Sequence, residues 1–261
     1  MCSILSLLLL VGCLPDSVKL AYRFEEGTTQ TYEMTATASA EWDVAGRGQG
    51  SYTVSFEVNE TVQSVDAEGA VVVVEMLPTG AEEDGLPSPG LERRSFSLRL
   101  GPNGEVLEVL QLDGIAASSV DHDELAFIGT YRPSLPETEV RLGDEWTDDR
   151  AIRLGSDFQQ IETQGSLAAF RRDGGVESAR ISFSGTSPLE WITTLPQGEA
   201  QLLGDATTHG TAMFNIAAGT LETATSSTRG DFEVRVIPGD GAAPITGVLT
   251  LDLDLTVKRL S

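Results

Sequence analysis

Apolar and polar residues alternate with a period of two over much of the chain, the pattern of β-strands with one buried face. Leu249, Leu251, Leu253, Leu255 and Val257 alternate with Thr250, Asp252, Asp254, Thr256 and Lys258. No helix places those five apolar residues on one side. Tyr52, Val54, Phe56 and Val58 alternate in the same way with Thr53, Ser55, Glu57 and Asn59. Shorter runs are Leu20/Tyr22/Phe24, Phe96/Leu98/Leu100 and Phe232/Val234/Val236. Strands wet on one face belong to antiparallel sheets, not to a doubly wound parallel fold. Between the runs lie turn sequences: Asp66–Gly69, Gly101–Gly104, Arg172–Gly175 and Pro238–Gly241. The pattern predicts roughly eleven to thirteen strands.

Helical signals are few. Asp121 is placed as an N-cap with Glu124 three residues on, and Val120 and Leu125 can staple that turn. Gly129 would end the helix, and Pro133 and Pro136 forbid its extension. Ser187-Pro188-Leu189-Glu190 supplies a cap, an N1 proline and an N3 glutamate, predicting a second helix of about two turns before Pro196. Pro78 to Gly90 reads as an acidic loop. The expected fold is mostly β: an antiparallel, strongly curved sheet or half-barrel with one or two short helices. Two β-sandwich lobes are the alternative. Residues 18–261 form the β-rich body; an internal likeness divides it into halves, 18–115 and 140–261, joined by a helix-containing linker.

The chain has 261 residues and a net charge of −23. Nucleic-acid phosphates need clustered Lys and Arg, so nucleic acid is not an expected partner. Two cysteines and two histidines are too few for a disulfide framework or for most His/Cys metal sites. No metal or cofactor is expected.

The first residues, MCSILSLLLLVGC, carry an apolar run from Ile4 to Val11. At about 1.5 Å per residue such a run spans roughly half of a ~30 Å hydrocarbon layer, too short for a transmembrane helix and suited to a secretion signal. No Lys or Arg precedes it. The run ends in Leu10-Val11-Gly12-Cys13, which resembles the lipobox of bacterial lipoproteins. The resemblance implies that residues 1–12 are a signal peptide cut between Gly12 and Cys13. Cys13 then becomes the acylated first residue, and residues 13–17 the tether. Several acyl chains hold a protein at a membrane where one does not. With Cys2 removed and Cys13 acylated, no cysteine is left for a disulfide or as a nucleophile. Leu14 stands where enteric lipoproteins kept in the inner membrane commonly have Asp. The implied address is therefore the cell envelope, at the outer membrane facing the periplasm.

A second segment, Leu135-Pro136, Val140 and Gly143-Asp144-Glu145-Trp146, resembles one found in uncharacterised exported bacterial lipoproteins. Phe214, Gly219 and Leu221 resemble another of their hairpins. This likeness implies a fold type and a location, and no activity. The plain reading of Gly143-Asp144 is a turn, with Trp146 the first core anchor of the strand after it. A curved sheet of the expected kind also resembles bacterial lipoprotein carriers and lipid-binding lipoproteins.

No nucleophile elbow, phosphate loop, dinucleotide fingerprint or His-Glu-x-x-His is present. Asp121-His122-Asp123-Glu124 is the densest polar cluster, but neighbours on a helix point in different directions and capping accounts for it. His209 shares a strand face with Thr207 and Asp205 if that strand is regular; a solvated histidine is the expectation. Asp252 and Asp254 share a face, a spacing usable in glycoside hydrolysis or calcium binding, on what reads as a solvated surface. Trp42, Trp146 and Trp191 are core or cavity residues. The expected function is a lipid-anchored envelope protein that binds or carries an apolar ligand without catalysis. The alternatives are a structural or protein-interaction module and a carboxylate-based hydrolase.

Overall fold

The computed structural model describes residues 17–88, 91–120, 132–154, 157–173, 176–195, 198–239 and 242–260. Thirteen strands follow one another: β1 (Thr29–Asp43), β2 (Arg47–Val65), β3 (Ala70–Glu83), β4 (Leu86–Pro87), β5 (Arg94–Leu100), β6 (Val106–Leu112), β7 (Ile115–Ala116), β8 (Glu145–Leu154), β9 (Asp157–Asp173), β10 (Val176–Leu195), β11 (Gly198–Asn215), β12 (Thr220–Pro238) and β13 (Ile245–Arg259). A single 3-10 turn, Ala117–Ser119, is the one helical element among the described residues. The predicted antiparallel β fold is therefore what the chain adopts. The helix predicted from Asp121 lies outside the described residues.

All the strands belong to one sheet, in the order β2-β1-β13-β12-β11-β10-β9-β8-β6-β5-β3-β4. The sheet is curled: β2, at one end of this order, also pairs with β3 near the other. It is not closed into a barrel. Its weak seam lies between β6 and β8, which meet in parallel over two residue pairs, Glu108↔Arg153 and Val109↔Leu154.

Three sequence expectations need correction. Ser187–Glu190 is not a helix; it continues β10, where Pro188 pairs with Asp205 of β11. β9 stops pairing with β10 at Thr186, so Pro188 sits beyond the last β9 rung and its missing N–H breaks no ladder. Second, most of Pro78–Gly90 is a hairpin and not a loop. β3 runs on to Glu83, and Asp84 and Gly85, both at positive φ, turn it into β4. Asp-Gly is a strong two-residue hairpin signal, and its acidic flanks masked it. Third, Leu20, Tyr22 and Phe24 are not in a strand. Val18 makes an isolated bridge to Val140, and the chain then enters the curl, with Leu20 and Tyr22 buried.

That segment and Arg132–Val140 plug one end of the curl. Backbone bonds from Tyr22 to Pro102, Arg23 to Gly219 and Leu135 to Asn103 fix them there. The core forms around the plug from inward residues of the sheet, among them Tyr32, Val58, Leu167, Ile181, Phe214 and Leu221, all at 1% exposure or less. Each such side chain gains roughly 1.5–3 kcal/mol on burial. Trp146 packs against this core, and its indole N–H donates to the Ser134 carbonyl at 3.1 Å. The preceding turn is formed as read, with Asp144 accepting from the Arg141 N–H.

Aromatic rings cover glycines directly across the ladder. Trp42 lies over Gly48, Trp146 over Gly165, Phe183 over Gly210 and Phe232 over Gly204. Each ring takes the space a Cβ would need, which lets long strands bend while keeping the ring packed. Gly165→Ala should therefore expel the Trp146 indole, costing about 1–3 kcal/mol. A red-shifted tryptophan emission and a lower urea midpoint would show it; unchanged emission would refute it.

Candidate functional site

The inner face of the sheet has two zones. On β13, Val257 is buried in the core, and Leu255, Leu253, Leu251 and Leu249 follow on the same side toward the far end. These four leucines are only half-buried. On one flank they face Ala36, Ala38, Ala40 and Trp42 of β1. On the other they face Ser226, Thr228, Gly230 and Phe232 of β12. β2 adds Val54, Tyr52 and Gly50 beside the alanines. Small residues beside leucines give an apolar trough, continuous with the core, half-buried along β13 and β1 and covered again at Phe232 on the β12 flank.

The trough ends at a set of hairpin tips. Trp42, 38% exposed, stands at the β1–β2 end. Leu86, Ile192, Ile245 and Val248 are exposed near the other tips of this end. Val65, Leu142 and Leu260 are exposed as well, at or beside the opposite end.

The residues nominated by sequence fall elsewhere. His209, Thr207 and Asp205 share the outer face of β11, whose pairing with β12 is regular through this stretch. Thr147, Gln164, Ser184 and His209 form one row across β8, β9, β10 and β11. With Glu145 and Ser166 they line a depression of about 430 Å³. A smaller one of about 150 Å³ shares Gln164, Ser184 and His209 and adds Glu162, Thr186 and Thr207. This outer site offers hydroxyl, amide, imidazole and carboxylate groups to solvent. Asp252 and Asp254 lie on the outer side of β13, and Asp252 accepts from Arg229 at 3.4 Å. Among the described residues no cluster of His, Cys, Asp and Glu could hold a metal ion. Gly12, Cys13, Asp121, His122, Asp123 and Glu124 lie outside the described residues, as does the Trp191 side chain.

Sequence reading missed one polar centre. Glu60 continues the inward phase of Phe56, Val58 and Val62, and it is buried with Arg132. Arg132 Nε donates to Glu60 Oε1 at 3.0 Å, and Nη2 contacts Oε2. The guanidinium also lies over the rings of Tyr22 and Tyr32, 5.0 and 5.9 Å from their centroids. Burial pushes the Glu60 carboxyl up. The guanidinium fork acts in the opposite sense and favours the charged form. Burial likewise raises the Tyr32 hydroxyl above its ordinary range. The signal was legible: a glutamate in the apolar phase of a strand must find a buried partner. Which partner it finds was not.

Elsewhere Asp66 holds the β2–β3 turn by accepting from the Glu68 and Gly69 N–H groups, as its sequence suggested. The side-chain bond from Arg99, followed by that turn bond from Glu68, keeps its carboxyl below the usual range.

No protein-family model and no curated protein matches the chain. The fold defines it as a curled antiparallel β protein whose inner face carries a row of half-buried leucines beside the core.

Proposed function

We propose that the chain is a lipid-anchored envelope protein that binds an apolar ligand in the trough, without catalysis. The observation that carries this reading is the half-exposed row Leu249, Leu251, Leu253 and Leu255 facing Ala36, Ala38 and Ala40. A protein stabilised only by its own packing would gain by filling that space with larger side chains. The anchor rests on the likeness of Leu10-Val11-Gly12-Cys13 to a lipobox and would keep the body at a bilayer, a source of apolar molecules.

Native mass spectrometry of the full chain should detect a co-purifying apolar molecule. Leu251→Gln combined with Leu253→Gln should weaken its binding tenfold or more, since each leucine contributes on the order of 1 kcal/mol of contact. Retention of a purified probe such as dodecanol by the double variant at unchanged affinity would refute the site. Palmitate labelling of the wild type and its absence in Cys13→Ser tests the anchor separately.

A further inference from the structure

Along the trough the inward side chains of β1, β2, β12 and β13 are uncharged; away from it, on β8, Asp148 shares the inward face of Trp146 with its Oδ2 buried. In β1, β2, β11, β12 and β13, the inward residues beyond the core are Leu, Ala, Gly, Val, Ile, Ser, Thr, Pro, Phe, Tyr or Trp. In β3 the irregularity near Pro78 shifts the phase, so that Ala81 lies opposite Val54 and Glu83 opposite Tyr52. Glu83 thus stands on the inner side, in one row with Tyr52, Ala38 and Leu253. Three strand spacings, about 14 Å, separate Glu83 from Leu253. Among the described residues Glu83 has no ion-pair partner, although Asp43, Glu60, Glu75 and Asp113 each have one. Glu41, Asp43, Glu82 and Asp84 lie at the same end of the sheet, where Arg47 is already bound to Asp43.

We propose that the ligand is a cationic amphiphile, with its apolar body on the Leu249–Leu255 row and its positive head at Glu83. This rests on the apolar-ligand reading and adds the chemistry of the head. An anionic head would meet repulsion at every carboxylate of this rim, and a neutral one would leave Glu83 unused. A primary ammonium or guanidinium would find in Glu83 an acceptor that no arginine or lysine of the described chain occupies.

The test compares dodecylamine, dodecanol and dodecanoate, each below its aggregation concentration, by titration of the full chain followed through tryptophan emission. The amine should bind at least fivefold tighter than the alcohol, and the carboxylate weakest. Glu83→Gln should abolish the preference of amine over alcohol and leave alcohol binding unchanged. Glu82→Gln, one residue away and facing outward, should keep the preference. Equal loss in both variants would mean that the amine responds to overall acidity, and it would overturn the assignment of Glu83. Equal binding of all three probes would overturn the cationic head while leaving the apolar trough intact. Failure of every probe to bind would remove the apolar-ligand reading, and this inference with it.

Discussion

Arg132→Met should destabilise the protein by about 3–5 kcal/mol, and by more at pH 8 than at pH 5. The wild-type guanidinium meets both carboxylate oxygens of Glu60 in a site where the two side chains are 5% and 3% exposed. Removing it leaves a carboxylate with no comparable counter-charge in a dry core. Burial alone then acts on Glu60, holding its native-state pKa well above the unfolded value near 4.5. The sign follows from proton linkage. Below about pH 4.5 the carboxyl is protonated in both states, and the variant carries no pH-dependent penalty. Above it the unfolded chain releases the proton while the native state keeps it, so stability falls as pH rises. The slope is about 1.4 kcal/mol per pH unit, continuing toward the native-state pKa. Glu60→Leu combined with Arg132→Met should recover most of the loss, because an apolar pair of similar volume requires no desolvation of charge. Urea unfolding of the three proteins at both pH values measures all of this. An Arg132→Met variant within 1 kcal/mol of wild type, or one more stable at pH 8, would contradict it.

Phe214→Ala should cost about 3–5 kcal/mol. Phe214 is fully buried on β11 and meets the Tyr22 ring edge-on at a centroid distance of 5.2 Å. It therefore joins the sheet to the plug, and truncation opens a cavity that neither can collapse to fill. Leu253→Ala, in the half-exposed trough, should cost much less, about 1–2 kcal/mol, because solvent already reaches that side chain. The contrast separates the two zones of the inner face: one holds the fold together, and the other stays open. Comparable losses would mean that the trough is packed like the core, and the proposed binding role would lose its basis.

The strands were legible because alternation is a local signal. Leu249–Val257 and Tyr52–Val58 lie within β13 and β2, and Phe96–Leu100 and Phe232–Val236 within β5 and β12. The misreadings arose where one local rule competed with a contact that only the folded chain supplies. Ser187-Pro188-Leu189-Glu190 has every mark of a helix start, yet β11 pairs with all four residues and outweighs a preference of about 1 kcal/mol. Leu20, Tyr22 and Phe24 alternate as a strand would, but the sheet has no free place for them; their apolar faces are satisfied inside the curl.

The candidate site divides in the same way. The leucine row was readable as one face of one strand, but its meeting with the alanines of β1 depends on pairing residues more than two hundred positions apart. Glu83 reached the inner side through a shift of register in β3 that no periodicity announces. Glu60 could be recognised as an anomaly from its phase, whereas Arg132 is separated from it by 72 residues. By itself the sequence determined the strand content, the antiparallel class and the sidedness of most strands, because side-chain alternation is fixed by backbone geometry. A strongly curved sheet was already the expected form, and the sheet is curled; the tertiary structure alone decided the pairing order, the plug and the trough. Those depend on which strands pair, in what register, and on which segments close one end.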